Sequence, residues 1–109
     1  MTNIEKFQKV WDAKDLEGVL GMLTDDVEMR MLHMDQTLKG PEAHAFIKEL
    51  LLDDSVVSSD FRIIYENDEC AVTYERMSGE NSGQISIVQL FRDNKIYYME
   101  ASLITDSES

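Results

Sequence analysis

The sequence predicts an α+β domain, with helices first and an antiparallel sheet after them. Three observations predict it. Apolar residues recur at helical spacing in two short stretches before residue 24. At Val27 the period changes to two, Val27, Met29 and Met31 alternating with Glu28 and Arg30. After one further helical stretch the period of two returns and persists across short turns.

Each element has a local cause. Thr2 with Glu5 three residues on makes a capping box, and Phe7, Val10 and Trp11 form the apolar stripe of the helix that follows. Asp15 sits as N-cap ahead of a second stripe at Leu16, Val19, Leu20 and Leu23. A strand is expected over residues 27–34 and a polar loop from Asp35 to Gly40. Pro41 and Glu42 open a third helix, with Pro at the first-turn position it tolerates; its core stripe is Ala43, Phe46, Ile47, Leu50 and Leu51. Asp53 to Asp60 reads as a polar linker apart from Val56 and Val57. Turns are expected at Asn67-Asp68, over Gly79 to Gly83 and at Asp93-Asn94, where Asn tolerates the left-handed backbone of a tight hairpin. Residues 105–109 read as a frayed acidic tail.

With 109 residues and 43% hydrophobic content, the chain suits one domain over residues 1–109. A net charge of −12 argues against nucleic acid and against an anionic membrane surface, since both draw on clustered Lys and Arg. No apolar run approaches the roughly 20 residues of a membrane span, and nothing at the start resembles a signal peptide, so the chain is expected to be cytoplasmic. The single cysteine, Cys70, rules out an internal disulfide and is read as a small buried hydrophobe. No His or Cys spacing suits a metal and no Gly-rich loop opens a helix to cradle phosphate, so no cofactor is expected.

Three pieces carry a family resemblance. They are Trp11-Asp12-Ala13-Lys14-Asp15-Leu16 with Asp25-Asp26-Val27, then Gly40-Pro41-Glu42-Ala43, then Phe91-Arg92-Asp93-Asn94-Lys95-Ile96. Each is a cap or turn that many α+β domains use, but their order and spacing over roughly residues 4 to 104 resemble the nuclear transport factor 2-like superfamily. That superfamily includes ketosteroid isomerases, SnoaL-type polyketide cyclases and binding-only members. The resemblance implies a cone-shaped, cystatin-like fold, a curved antiparallel sheet wrapped around the first and third helices, with a mostly apolar pocket between them. It also implies a homodimer.

Ketosteroid isomerases use an Asp base facing an oxyanion hole of a Tyr and a protonated Asp. Counted from the matching motifs, those positions fall on Met31, Phe7 and Ile87. None can donate or take a proton, so isomerase chemistry of that type is not expected.

The residues expected to line the pocket are Phe7, Trp11, Met29, Met31, Met99 and Leu103, with His33, His44, Tyr74 and Gln89 as its polar groups. Aromatics and methionines suit a small apolar or aromatic molecule. Two functions follow. One is a small-molecule site, either binding-only or cyclase- or isomerase-like, with His44 as best acid/base candidate and Gln89 or Tyr74 orienting a carbonyl. The alternative is a dimerisation or protein-interaction module with a filled core, joined through the outer face at Glu28, Arg30, Tyr98, Glu100 and Ser102.

Overall fold

A computed structural model describes residues 2–53, 57–78 and 82–105. Helix α1 (Asn3–Asp12) starts in a closed capping box: Glu5 N–H donates to Thr2 Oγ1 at 3.3 Å, and Thr2 N–H to Glu5 Oε1 at 2.9 Å. These bonds, the Thr2 N–H first, hold the Glu5 carboxyl below its ordinary range. The helix ends in a Schellman motif. Lys14 takes the left-handed conformation (φ 54°), its N–H donates to Trp11 O at 3.0 Å and Asp15 N–H donates to Val10 O at 2.9 Å. Asp15 then caps α2 (Leu16–Gly21) by accepting from Gly18 N–H at 3.0 Å. A Cβ at Gly18 would lie 2.5 Å from Asp15 Oδ2 and 2.8 Å from Val10 Cγ1, so this cap requires glycine.

Strand β1 (Leu23–Met31) runs into a single 3-10 turn, Leu32–Met34, and Asp35 reverses the chain with φ 48°. Strand β2 (Gln36–Lys39) follows, then α3 (Pro41–Leu52), β3 (Val57–Glu66), β4 (Cys70–Ser78), β5 (Gly83–Arg92) and β6 (Lys95–Thr105). They form one curved, unclosed sheet of six strands in the order β2-β1-β6-β5-β4-β3. The α+β fold is the one expected, with four differences. The first strand spans Leu23–Met31 rather than residues 27–34, because Leu32–Met34 coil into the 3-10 turn. The expected loop at Asp35–Gly40 contains β2, whose Gln36–Lys39 pair with Glu28–Met31 although little apolar alternation marks them. The sheet is mixed, because β1 runs parallel to β6 while the other pairings are antiparallel. Strand β3 already begins at Val57, inside the expected linker. Val56, residues 79–81 of the second expected turn and residues 106–109 of the expected tail lie outside the described residues.

The hairpin turns follow their side chains. Asp93 and Asn94 both have positive φ, 54° and 64°, the two-residue turn whose twist matches the strands. Asn67 Oδ1 accepts from Glu69 N–H and Cys70 N–H, each at 2.8 Å, closing the β3–β4 turn.

The three helices cover the inner face of the sheet. Val27, Phe91, Ile96 and Met99 meet Ile4 and Phe7 of α1, Val19 of α2, and Ala43, Ile47 and Leu51 of α3 in one buried cluster. The outer face carries Glu28, Arg30, Tyr98 and Glu100 in register, with Cys70 half-buried beside Leu90.

Candidate functional site

A cavity of about 110 Å³ lies between α1, α3 and the inner face of the sheet. Its walls are apolar: Phe7 and Trp11 from α1, Ile47, Leu50 and Leu51 from α3, and Met29, Ile85, Ile87 and Met99 from the sheet. Phe7 and Trp11 face each other as a tilted pair, ring centres 6.0 Å apart. The register explains the polar groups. Ala71 pairs with Gln89, Thr73 with Ile87 and Glu75 with Ile85, so all of these point inward with Met99, the partner of Gln89 on β6.

Two polar side chains lie deep in the cavity and one nearer its rim. Thr73 and Gln89 are each 3% exposed, and Gln89 Oε1 is buried without a hydrogen-bond partner among the described residues. Thr24 Oγ1 shares that condition, but it belongs to β1 and does not line the cavity. Glu75 is half-buried, and burial pushes its carboxyl above the ordinary range. A hydrogen bond from Ser58 opposes the shift, and the nearby charge of Asp12 adds to it. Lys14 and Asp53 complete the rim with Gln8 and Ser58.

Of the residues expected from the sequence, Phe7, Trp11, Met29, Gln89 and Met99 meet at this cavity. The others do not. Met31 is 2% exposed in the packed core, beside Ala101, and does not reach the cavity. Leu103 has the inward register of Ile85 but stays outside the lining. His33 is exposed in the 3-10 turn, because the strand stops at Met31 and its register is not continued. Tyr74 points to the outer face, paired with Ser86, where the Arg62 guanidinium stacks 4.4 Å from its ring centre. His44 is half-buried, its Nε2 lying 2.9 Å from the backbone oxygen of Thr24, and it ties α3 to β1 rather than facing the cavity.

Sequence reasoning missed Thr73, Glu75 and Ser58. Placing Cys70, Val72, Tyr74 and Arg76 on one face of a strand puts Ala71, Thr73, Glu75 and Met77 on the other. That second set is the inward one.

Among the described residues no group of His, Cys, Asp and Glu is gathered to hold a metal ion, and no helix is long and apolar enough to cross a membrane.

No protein-family model matches the chain, and no curated protein matches it. Solved structures do. A protein from Kribbella flavida with a provisional ketosteroid isomerase name superimposes with a TM-score of 0.79 at 10% identity, over 94% of this chain and 75% of that one. A nuclear transport factor 2-like protein of unknown function from Burkholderia xenovorans gives 0.75 at 14% identity, over 98% and 84%. A steroid delta-isomerase from Pseudomonas aeruginosa gives 0.73 at 17% identity, over 97% and 80%. The chain has the nuclear transport factor 2-like fold. In this fold the cavity sits between the sheet and α1 and α3, with Gln89, Thr73 and Glu75 among the polar residues set in its apolar walls.

Proposed function

We propose that this domain binds one compact, mostly apolar molecule in the cavity, with Gln89 as its deep polar anchor. The observation that carries the proposal is Gln89 Oε1, a buried amide oxygen in a lining that includes Ile87, Met29 and Met99, with no donor among the described residues. Leaving such a group unmet costs about 1–3 kcal/mol, a cost that a ligand N–H or O–H would offset. The size of the cavity sets the size of the ligand. About 110 Å³ is near the roughly 150 Å³ of an engineered cavity that admits benzene, and well below the roughly 300–1,000 Å³ of sites for larger ligands.

A single ring fits this volume better than a steroid. Steroid isomerisation, the activity in the Pseudomonas relative's name, is further disfavoured by Phe7 and Ile87, which line the cavity with no proton to give or take. Should the bound molecule react, Glu75 takes the acid/base role first considered for His44, being the cavity carboxyl whose proton affinity burial raises. The proposal keeps the domain cytoplasmic. Trp11 is the chain's single tryptophan and lines the cavity, so its fluorescence reports on occupancy. A saturable change in Trp11 emission with benzyl alcohol or cyclohexanol, weakened in Gln89→Leu, is expected; an emission unmoved by any single-ring compound would overturn the proposal.

A second proposal concerns the outer face, where Cys70, Val72, Val88, Leu90 and Tyr98 are half-buried in the isolated chain and form a continuous apolar strip in register. Tyr98 O–H donates to Glu100 at 3.0 Å, and Glu28 pairs with Lys39 at 3.5 Å, giving that strip a polar edge. Such a surface suits a two-fold homodimer. Sedimentation at tens of micromolar, an ordinary range for such contacts, should show a dimer that Val88→Arg dissociates. A monomeric native chain would end this proposal.

A further inference from the structure

Glu75 gives the cavity a charge preference that its apolar walls alone would not. The geometry points to a site selective for protonated amines, in which a ring fills the cavity toward Gln89 and an ammonium group rests at the rim against the Glu75 carboxylate. The inference rests on the small-molecule reading above and names the class of ligand.

Three observations support it. The charges of the rim are predominantly acidic: Glu75 and Asp53 line it with Lys14, and Asp12 on α1 is close enough to act on Glu75. With two carboxylates and one lysine the rim is net negative, so it disfavours an anionic ligand, whereas a cation is drawn to it and to a chain carrying −12 overall. Next, the group left without a partner inside is an acceptor, and so is the carboxylate at the rim. Gln89 Oε1 has no donor and Glu75, once ionised, only accepts, so a ligand with donors at both ends suits the cavity. Last, Trp11 and Phe7 lie beside these groups in the lining, and aromatic faces attract a desolvated cation. The carboxyl is also poised for such a partner. Burial makes its lone ionisation unfavourable, and an ammonium at hydrogen-bond distance would offset that by a charge-assisted bond. The acidic rim would be insufficient alone; the unpartnered, 97%-buried amide oxygen of Gln89 within the same cavity is the independent sign of a missing ligand.

The test is calorimetric titration of the full chain with four probes of one skeleton: tyramine, phenethylamine, phenethyl alcohol and phenylacetate. Phenethylamine should bind at least about tenfold more tightly than phenethyl alcohol, the scale of a charge-assisted hydrogen bond. Phenylacetate should bind most weakly, and tyramine, whose phenol can donate to Gln89 Oε1, most tightly. Glu75→Gln should bring phenethylamine down to the level of the alcohol, and Gln89→Leu should remove the advantage of tyramine over phenethylamine. Added sodium chloride should weaken the amines and spare the alcohol, a readout available on the unmodified chain. Equal binding of amine and alcohol, or an amine preference that survives Glu75→Gln, overturns the amine selectivity and leaves the cavity as a site for neutral rings. Failure of the alcohol and the amines together overturns the small-molecule reading and this inference with it.

Discussion

The two ends of the sheet's inner face are treated differently. Toward β1 the face is packed shut: Val27 and Ile96 are fully buried, Phe91 is 4% exposed, and the half-buried His44 ring meets Thr24 O. Toward β4 and the far end of β5, Glu75, Met77, Ile85 and Ile87 stay half-buried, and the cavity lies among them. Close packing supplies stability in the first half, while in the second the volume left unfilled carries Gln89 and Glu75. Packed core and open cavity are thereby separated along one sheet, and substitutions in the two halves should behave differently.

The largest effect is expected in the packed half. Phe91→Ala should lower the unfolding free energy by about 3–5 kcal/mol, since a buried ring leaves a void that cannot collapse. Ile87→Ala, at a cavity wall already lacking neighbours on one side, should cost less than the roughly 2–5 kcal/mol of Ile96→Ala in the core. Urea unfolding of the three variants checks the order, and equal losses at Ile87 and Ile96 would erase the distinction between the halves.

Gln89→Leu should go the other way. Replacing an amide whose oxygen has no partner by an apolar group of similar size is expected to stabilise the empty domain by about 1–2 kcal/mol, while removing the anchor for a ligand. Thermal unfolding decides this; a destabilised variant would mean that Gln89 supports the fold. At Glu75 the effect depends on pH. Its folded carboxyl holds a proton more tightly than in the unfolded chain, so as pH rises from the ordinary carboxylate range its ionisation removes stability. Glu75→Gln should therefore melt higher than the native chain at neutral pH, with the difference shrinking on acidification toward pH 4, near the ordinary carboxylate pKa.

The smallest effects belong to polar groups already paired. His44→Leu leaves Thr24 O without its ring partner and should cost about 1 kcal/mol with no change in ligand affinity. Thr2→Ala opens the capping box and should also cost about 1 kcal/mol.

What could be read in the sequence was what is local. The caps at Thr2 and Asp15 and the Asp93-Asn94 turn depend on residues within a few positions, and the structure has each of them. Phe7, Trp11, Met29, Gln89 and Met99 reach the cavity because their periodicity placed them on inward faces. Where pairing with a distant strand decides, the pattern was insufficient. Tyr74 points outward because Ala71 pairs with Gln89, and nothing within β4 says which of its faces meets the helices. His33 fell to the 3-10 turn at Leu32–Met34, which ends the alternation two residues before it would have mattered. Glu75 stays out of the expected lining because an inward Tyr74 turns its neighbour to the other face; only the register shows a carboxylate on the inner face.

The most direct measurement of the division between the halves is a methyl spectrum of the methionines titrated with phenethyl alcohol. Met29, Met77 and Met99 line the cavity, Met31 is sealed in the core and Met34 is exposed in the turn after β1. The division predicts saturable shifts at Met29, Met77 and Met99 with a common affinity, and fixed signals at Met31 and Met34. Unmoved signals throughout, or shifts spread equally over all five, would contradict it.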